Sequence, residues 1–156
     1  MRQGFTLVEV LVTLSLIALL ASIAFPLIQV DYHRNKEKEL KEDLREIRTA
    51  IDAYKTAVDD GRILRMADQS GYPPTLQILV DGVPDLKDVK GRKIYFLRSI
   101  PVDPFDPNND YSTPDKSWKL RSYASPADAP SAGDDVYDIH SKSPKKALDG
   151  TFYANW

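Results

Sequence analysis

The hydrophobic pattern divides the chain in two. From Phe5 to Val30 the only charged residue is Glu9, whereas charge is dense from Asp31 onward. About 20 mostly apolar residues suffice to cross a bilayer as a helix, so residues 5–30 are predicted to form one. Past Val30 the periodicity changes. Leu40, Leu44, Ile47, Ile51, Tyr54 and Val58 recur at alternating steps of four and three, interleaved with Lys, Glu, Asp and Arg. That spacing predicts an amphipathic continuation of the helix, laid against the rest of its own chain. Fewer than three full heptads is short for a coiled coil. Gly61, after Asp59 and Asp60, sits where a helix would stop.

Shorter elements follow between turn residues. Ser70-Gly71-Tyr72-Pro73-Pro74 breaks the chain, and Thr75 is placed to cap a short helix through Leu76, Ile78, Leu79 and Val80, ended by Asp81-Gly82. Ile94-Tyr95-Phe96-Leu97 is an apolar run of undecided type. Alternation around Trp118–Tyr123 and Val136–Ser141 predicts two strands. Pro101, Pro104 and Pro107 space one loop, and Pro126 and Pro130 mark another. The fold class is therefore α+β, a long helix on a small antiparallel sheet with long loops.

Composition removes several functions. The 156 residues hold no cysteine, two histidines and a net charge of −2. Disulfide staples, thiolate metal sites and cysteine nucleophiles are excluded, and no global field points to nucleic acid. The chain has no Gly-rich phosphate loop, His-Glu-x-x-His or Gly-x-Ser-x-Gly, and nothing assembles a nucleophile with a base. Asp106, Asn108 and Asp110 imitate the start of an EF-hand loop, but Tyr111 and Ser117 replace its Gly and Glu, so a solvated turn is expected. No enzyme is expected.

The first nine residues carry the sharpest signal. Gly4 closes a short polar leader with Arg2, and Phe5-Thr6-Leu7-Val8-Glu9 opens the apolar run. A carboxylate inside such a run is costly. The string resembles the processing signal of the type IV pilin and pseudopilin family. That resemblance implies a leader of residues 1–4 cut after Gly4 by a membrane peptidase, N-methylation of Phe5, and a filament-core helix over 5–30. It also implies a periplasmic head over 31–156 that includes the second half of the spine helix. Glu9 would pair with the Phe5 amine of an adjacent subunit and set their register, a well-attested use of such pairs. Pro26 removes a helical donor and would loosen the helix. Ala18, Ala21, Ser22 and Ala24 would permit close packing.

Gly71-Tyr72-Pro73-Pro74-Thr75, Leu97-Arg98-Ser99-Ile100-Pro101-Val102-Asp103-Pro104-Phe105, Tyr137-Asp138-Ile139 and Asn155-Trp156 narrow the resemblance to the major pseudopilins of type II secretion systems. It implies a homopolymer filament driving export across the outer membrane. Its partners would be minor pseudopilins, the peptidase-methylase, membrane lipid and an inner-membrane platform with a cytoplasmic ATPase. The protein would sit as a single-pass chain in the inner membrane of a Gram-negative bacterium, amino end cytoplasmic, and then join the periplasmic filament. A type IV pilus pilin, and a membrane-anchored periplasmic binding module, are the alternatives.

The resemblance also raises calcium, which such heads often hold in the loop after the last strand. Calcium takes six to eight oxygens. Here Lys145 stands where the family's first aspartate would be, and Asp149 alone keeps a carboxylate, with the carbonyls of Lys142 and Ser143 as helpers. Three lysines oppose a dication. The expectation is instead a loop held by Lys145 or Lys146 with Asp149, and by Phe152, Tyr153 and Trp156 packed on the sheet.

Overall fold

The computed structural model describes residues 6–107 and 112–156, except the side chains of residues 23–27. It divides into two compact units, Met1–Lys36 and Glu37–Trp156. Helix α1 runs over Leu7–Asp59, its first part belonging to one unit and its second to the other.

Among the described residues of the first unit, the large apolar side chains are exposed, Leu7, Leu11, Ile17 and Leu20 among them. The hydroxyls among them are internally satisfied: Thr13, Ser15 and Ser22 donate to the carbonyls of Val10, Leu11 and Leu19 at 2.7–2.9 Å. Polar groups closed onto their own helix carry little demand for water, as a lipid or protein environment requires. Among the described residues no helix is long and apolar enough to cross a membrane. The side chains of residues 23–27, within the predicted span, lie outside the described residues.

The second unit has its own core. The six residues of the heptad-like seam are all buried, Leu40 and Ile47 completely. They pack with Leu76, Leu79, Leu97, Ile100, Trp118, Val136, Ile139 and Tyr153. Burying a Leu or Ile side chain contributes about 1.5–3 kcal/mol, which is why this stretch joins its own head and not a coiled coil. The helix ends on a Schellman motif: the Arg62 N–H donates to Ala57 O and the Gly61 N–H to Val58 O, both at 2.9 Å, with Gly61 at φ +69°.

Four short strands complete the head. Strand β1 (Val83–Pro84) pairs antiparallel with β2 (Lys93–Ile94). Strand β3 (Trp118–Arg121) pairs antiparallel with β4 (Asp138–Ser141), with Trp118 opposite Ser141 and Leu120 opposite Ile139. That register puts Trp118, Ile139 and Ser141 on the core side. The buried Trp118 indole donates to Pro101 O at 2.8 Å, so the largest core side chain carries no unpaired donor.

Two sequence expectations change. Thr75 does not cap helix α2 (Gln77–Asp81); Leu76 occupies the cap position without a side-chain hydrogen bond. The two predicted strands are shorter than their alternation, because the Val136 N–H turns away to Pro73 O at 2.8 Å.

Candidate functional site

The start of α1 is built by its own sequence. Thr6 precedes the first helical residue, and its Oγ1 accepts the Glu9 N–H at 3.2 Å, while its carbonyl accepts the Val10 N–H at 3.2 Å. A threonine here satisfies one of the helix's otherwise free donors. Glu9 lies in the first turn, where the helix dipole favours a negative charge. Thr-x-x-Glu is the spacing of a helix-starting box. That signal was legible in the sequence and adds a local role to Thr6 that the processing motif alone does not reveal. Gly4 and Phe5, and the side chain of Pro26, lie outside the described residues.

The C-terminal loop is closed by the expected Tyr153 and Trp156 together with Glu37, Lys41 and Arg48 of α1, which sequence reasoning passed over. Glu37 of α1 accepts, at one carboxylate oxygen, the Leu148 N–H at 2.7 Å and the Tyr153 hydroxyl at 3.0 Å. Tyr153 is buried, stacks on Phe105 with ring centroids 4.1 Å apart, and meets Trp156 edge-on at 5.1 Å. Burial and the Glu37 carboxylate together push the Tyr153 phenol up to about 12. Arg48 ties the end of the chain down: it donates to Asp138 Oδ1 at 2.7 Å, Ile139 O at 3.0 Å and Trp156 O at 2.7 Å. Lys41 lies over the Trp156 ring at 4.2 Å.

The aromatic part of the expected clamp is present in Tyr153 and Trp156, whereas Phe152 stays exposed. The ionic part is not. Asp149 Oδ1 accepts the Thr151 N–H at 2.9 Å and the Thr151 hydroxyl at 2.6 Å. Those bonds hold its carboxyl below the usual range. Among the described residues no ion pair joins Lys145 or Lys146 to Asp149; Lys146 lies over Phe152 at 5.0 Å. Only Gly150 separates Asp149 from Thr151, so the Asx-type turn forms locally at lower entropic cost than a long-side-chain ion pair.

Of the calcium candidates, Asp149 Oδ1 accepts both Thr151 donors, and Asp149 is the one carboxylate that residues 142–150 offer to a cation that takes six to eight oxygens. Ser143 is buried. Among the described residues no cluster of three acidic or histidine side chains is placed to hold a metal ion. Of the EF-hand-like turn, Asp106 is buried, while Asn108, Asp110 and Tyr111 lie outside the described residues.

Two further carboxylates organise the head. Asp103 is fully buried and accepts Ser141 Oγ–H at 2.6 Å, the Phe105 N–H at 2.8 Å and the Lys142 N–H at 3.3 Å. It joins the proline-spaced loop to the end of β4. Burial outweighs these bonds and pushes its carboxyl up. Asp135 accepts the Ser122 hydroxyl at 2.6 Å, the Tyr123 N–H at 2.9 Å and the Ser70 hydroxyl. Against the cost of burial, these donors hold it low.

Residues 1–25 match the family described as the prokaryotic N-terminal methylation motif. The type II secretion system core protein G of Pseudomonas aeruginosa is 29% identical over 140 residues, covering 86% of this chain and 89% of that protein. The same-named protein of Klebsiella michiganensis is 24% identical over 140 residues, covering 86% and 91%. That of Vibrio cholerae is 25% identical over 136 residues, covering 85% and 86%. No solved structure matches. The chain thus carries the N-terminal methylation motif over its first 25 residues and, over most of its length, is similar to core protein G of type II secretion systems.

Proposed function

We propose that this chain is the structural subunit of a type II secretion pseudopilus, a helical filament whose growth drives protein export across the outer membrane. One observation carries the reading: a capped helix whose described large apolar side chains are exposed precedes a head with a buried core of its own. Such a surface has to be covered by lipid or by other helices. The named relatives all belong to type II secretion, which favours this over a type IV pilus pilin.

The subunit begins as an inner-membrane precursor, amino end inside and head in the periplasm. A prepilin peptidase cuts between Gly4 and Phe5 and the new amine is methylated. In the filament, Glu9 pairs with the Phe5 amine of a neighbour, and Pro26 loosens the helix on entry. The partners are further copies, minor pseudopilins and the assembly platform with its ATPase. The role is mechanical, without catalysis, and the C-terminal loop is closed by Glu37, Arg48 and the aromatics without calcium.

The test is the mature amino terminus. Mass spectrometry of assembled protein is expected to give N-methylated Phe5, and a bulky residue at Gly4 is expected to leave the precursor uncut. Intact Met1 in functioning filaments would sink the reading.

A further inference from the structure

The head carries two exposed surfaces of opposite character at opposite ends of its helical spine. At the Asp59 end, Tyr54, Val58, Leu64, Leu86, Tyr72 and Tyr123 contribute to a groove of about 900 Å³. Leu64 is 76% and Leu86 59% exposed. Asp68, Asp134 and Asp135 also line it, against a single cation, Arg65. Asp135 is held ionised by its three donors, so the groove's net charge is negative. Tyr72 and Tyr123 stack with centroids 5.5 Å apart; Lys55 of the same head already lies over the Tyr72 ring at 5.8 Å, so the exposed Tyr123 supplies the ring face that favours a cation.

At the Glu37 end, the loop after β4 carries the reverse. Lys145 and Lys146 are exposed beside Leu148, itself 52% exposed, and Phe152. The Leu148 N–H is fixed on Glu37, so this basic, apolar knob is held by the spine. Glu37 and Val58 lie on one helix about 30 Å apart at 1.5 Å per residue.

We propose that the acidic groove of one subunit receives the Lys145–Leu148 knob of a second copy of this chain. The occupant is a second copy because the complementary charge and apolar surface lie on the same head, displaced along the spine. An antiparallel two-fold pair would join both ends reciprocally. In the filament reading, however, the apolar helices of neighbouring copies run the same way, and parallel spines leave groove and knob each facing a different neighbour. Repeated by translation with rotation, this contact generates an open filament. Each contact is small, but the joined apolar helices raise the effective concentration of knob and groove. The proposal rests on the filament reading and identifies which head surfaces meet in it.

The absence of cysteine gives a clean test. The full chain carrying Leu64→Cys and Lys145→Cys is expressed with its secretion machinery and treated with a short bismaleimide. The two positions are too far apart to link within one head. The expected result is a ladder of dimers and higher species in sheared filaments, with neither single variant exceeding a dimer. Leu86→Cys with Leu148→Cys is a second pair, serving if the first assembles poorly. Asp68→Lys with Asp134→Lys is expected to cut crosslink yield about tenfold, from two reversed exposed pairs. Adding Lys145→Glu and Lys146→Glu is expected to restore it in the Leu86–Leu148 pair. Filaments that form without a ladder overturn the pairing and leave the filament reading standing. A ladder indifferent to both reversals overturns the charge assignment. A wild-type chain that forms no filament overturns the filament reading and the pairing together.

Discussion

Replacing Glu37 with Ala tests how the C-terminal loop is closed. The substitution removes the acceptor of the Leu148 N–H and of the Tyr153 hydroxyl. The first donor is exposed and turns to water. The second belongs to a residue only 2% exposed, and a buried donor without a partner costs about 1–3 kcal/mol. Adding a modest loss for the exposed charge-assisted bond gives about 2–3 kcal/mol in all. A head of this size loses roughly 3–5 °C of melting midpoint per kcal/mol, so the drop is roughly 6–15 °C. Glu37→Gln keeps an acceptor oxygen but not the charge, and is expected to lose about half as much. Tyr153→Phe keeps the stacking on Phe105 and is expected to cost about 1 kcal/mol. The assay is thermal unfolding of the full chain in detergent, followed by near-UV circular dichroism, with EGTA and with added calcium. Ultraviolet titration of the phenol supplies a second readout: the Tyr153 value near 12 is expected to fall in Glu37→Gln, since the carboxylate helps raise it. An unchanged midpoint in Glu37→Ala would refute the clamp, and a large calcium-dependent rise in the wild-type protein would refute the metal-free closure.

Asp103→Ala strands the Ser141 hydroxyl and the Phe105 N–H in the interior and is expected to cost about 2–4 kcal/mol by chemical denaturation. Asp43, raised to about 6 by burial first and then by Glu39, Glu46, Asp103 and Glu42, pays for ionisation in the folded state. The head is therefore expected to gain stability as pH falls from about 7 toward 4, and Asp43→Asn to gain about 1 kcal/mol at pH 7 after allowance for solvent screening; a flat pH profile in the wild-type protein would contradict this. Glu9→Ala is expected to leave membrane insertion intact or improved while filament assembly fails, read by membrane fractionation beside shearing; wild-type assembly would remove support for the pairing with the Phe5 amine.

The sequence alone determined what local periodicity and local chemistry can encode. The seam from Leu40 to Val58 was legible because helical spacing puts those residues on one face, and all of them are buried. Gly61 was legible because a left-handed helix stop suits glycine. The Thr6–Glu9 start is equally local, although the processing motif drew attention away from its capping role. Tertiary structure decided the rest. Glu37 meets a backbone 111 positions away, and Arg48 meets Trp156 108 positions away. Asp103 becomes the buried hub between its loop and Ser141 only once β3 and β4 have paired. A charged residue on an amphipathic helix reads as solvated until the fold brings a donor to it. Lys145 and Asp149 show the converse: opposite charges four positions apart in a loop have no helix to align them, and the nearer Thr151 takes the carboxylate. Spacing specifies contacts where the backbone is regular, and in a loop-rich head only the three-dimensional path of the chain selects which polar groups meet.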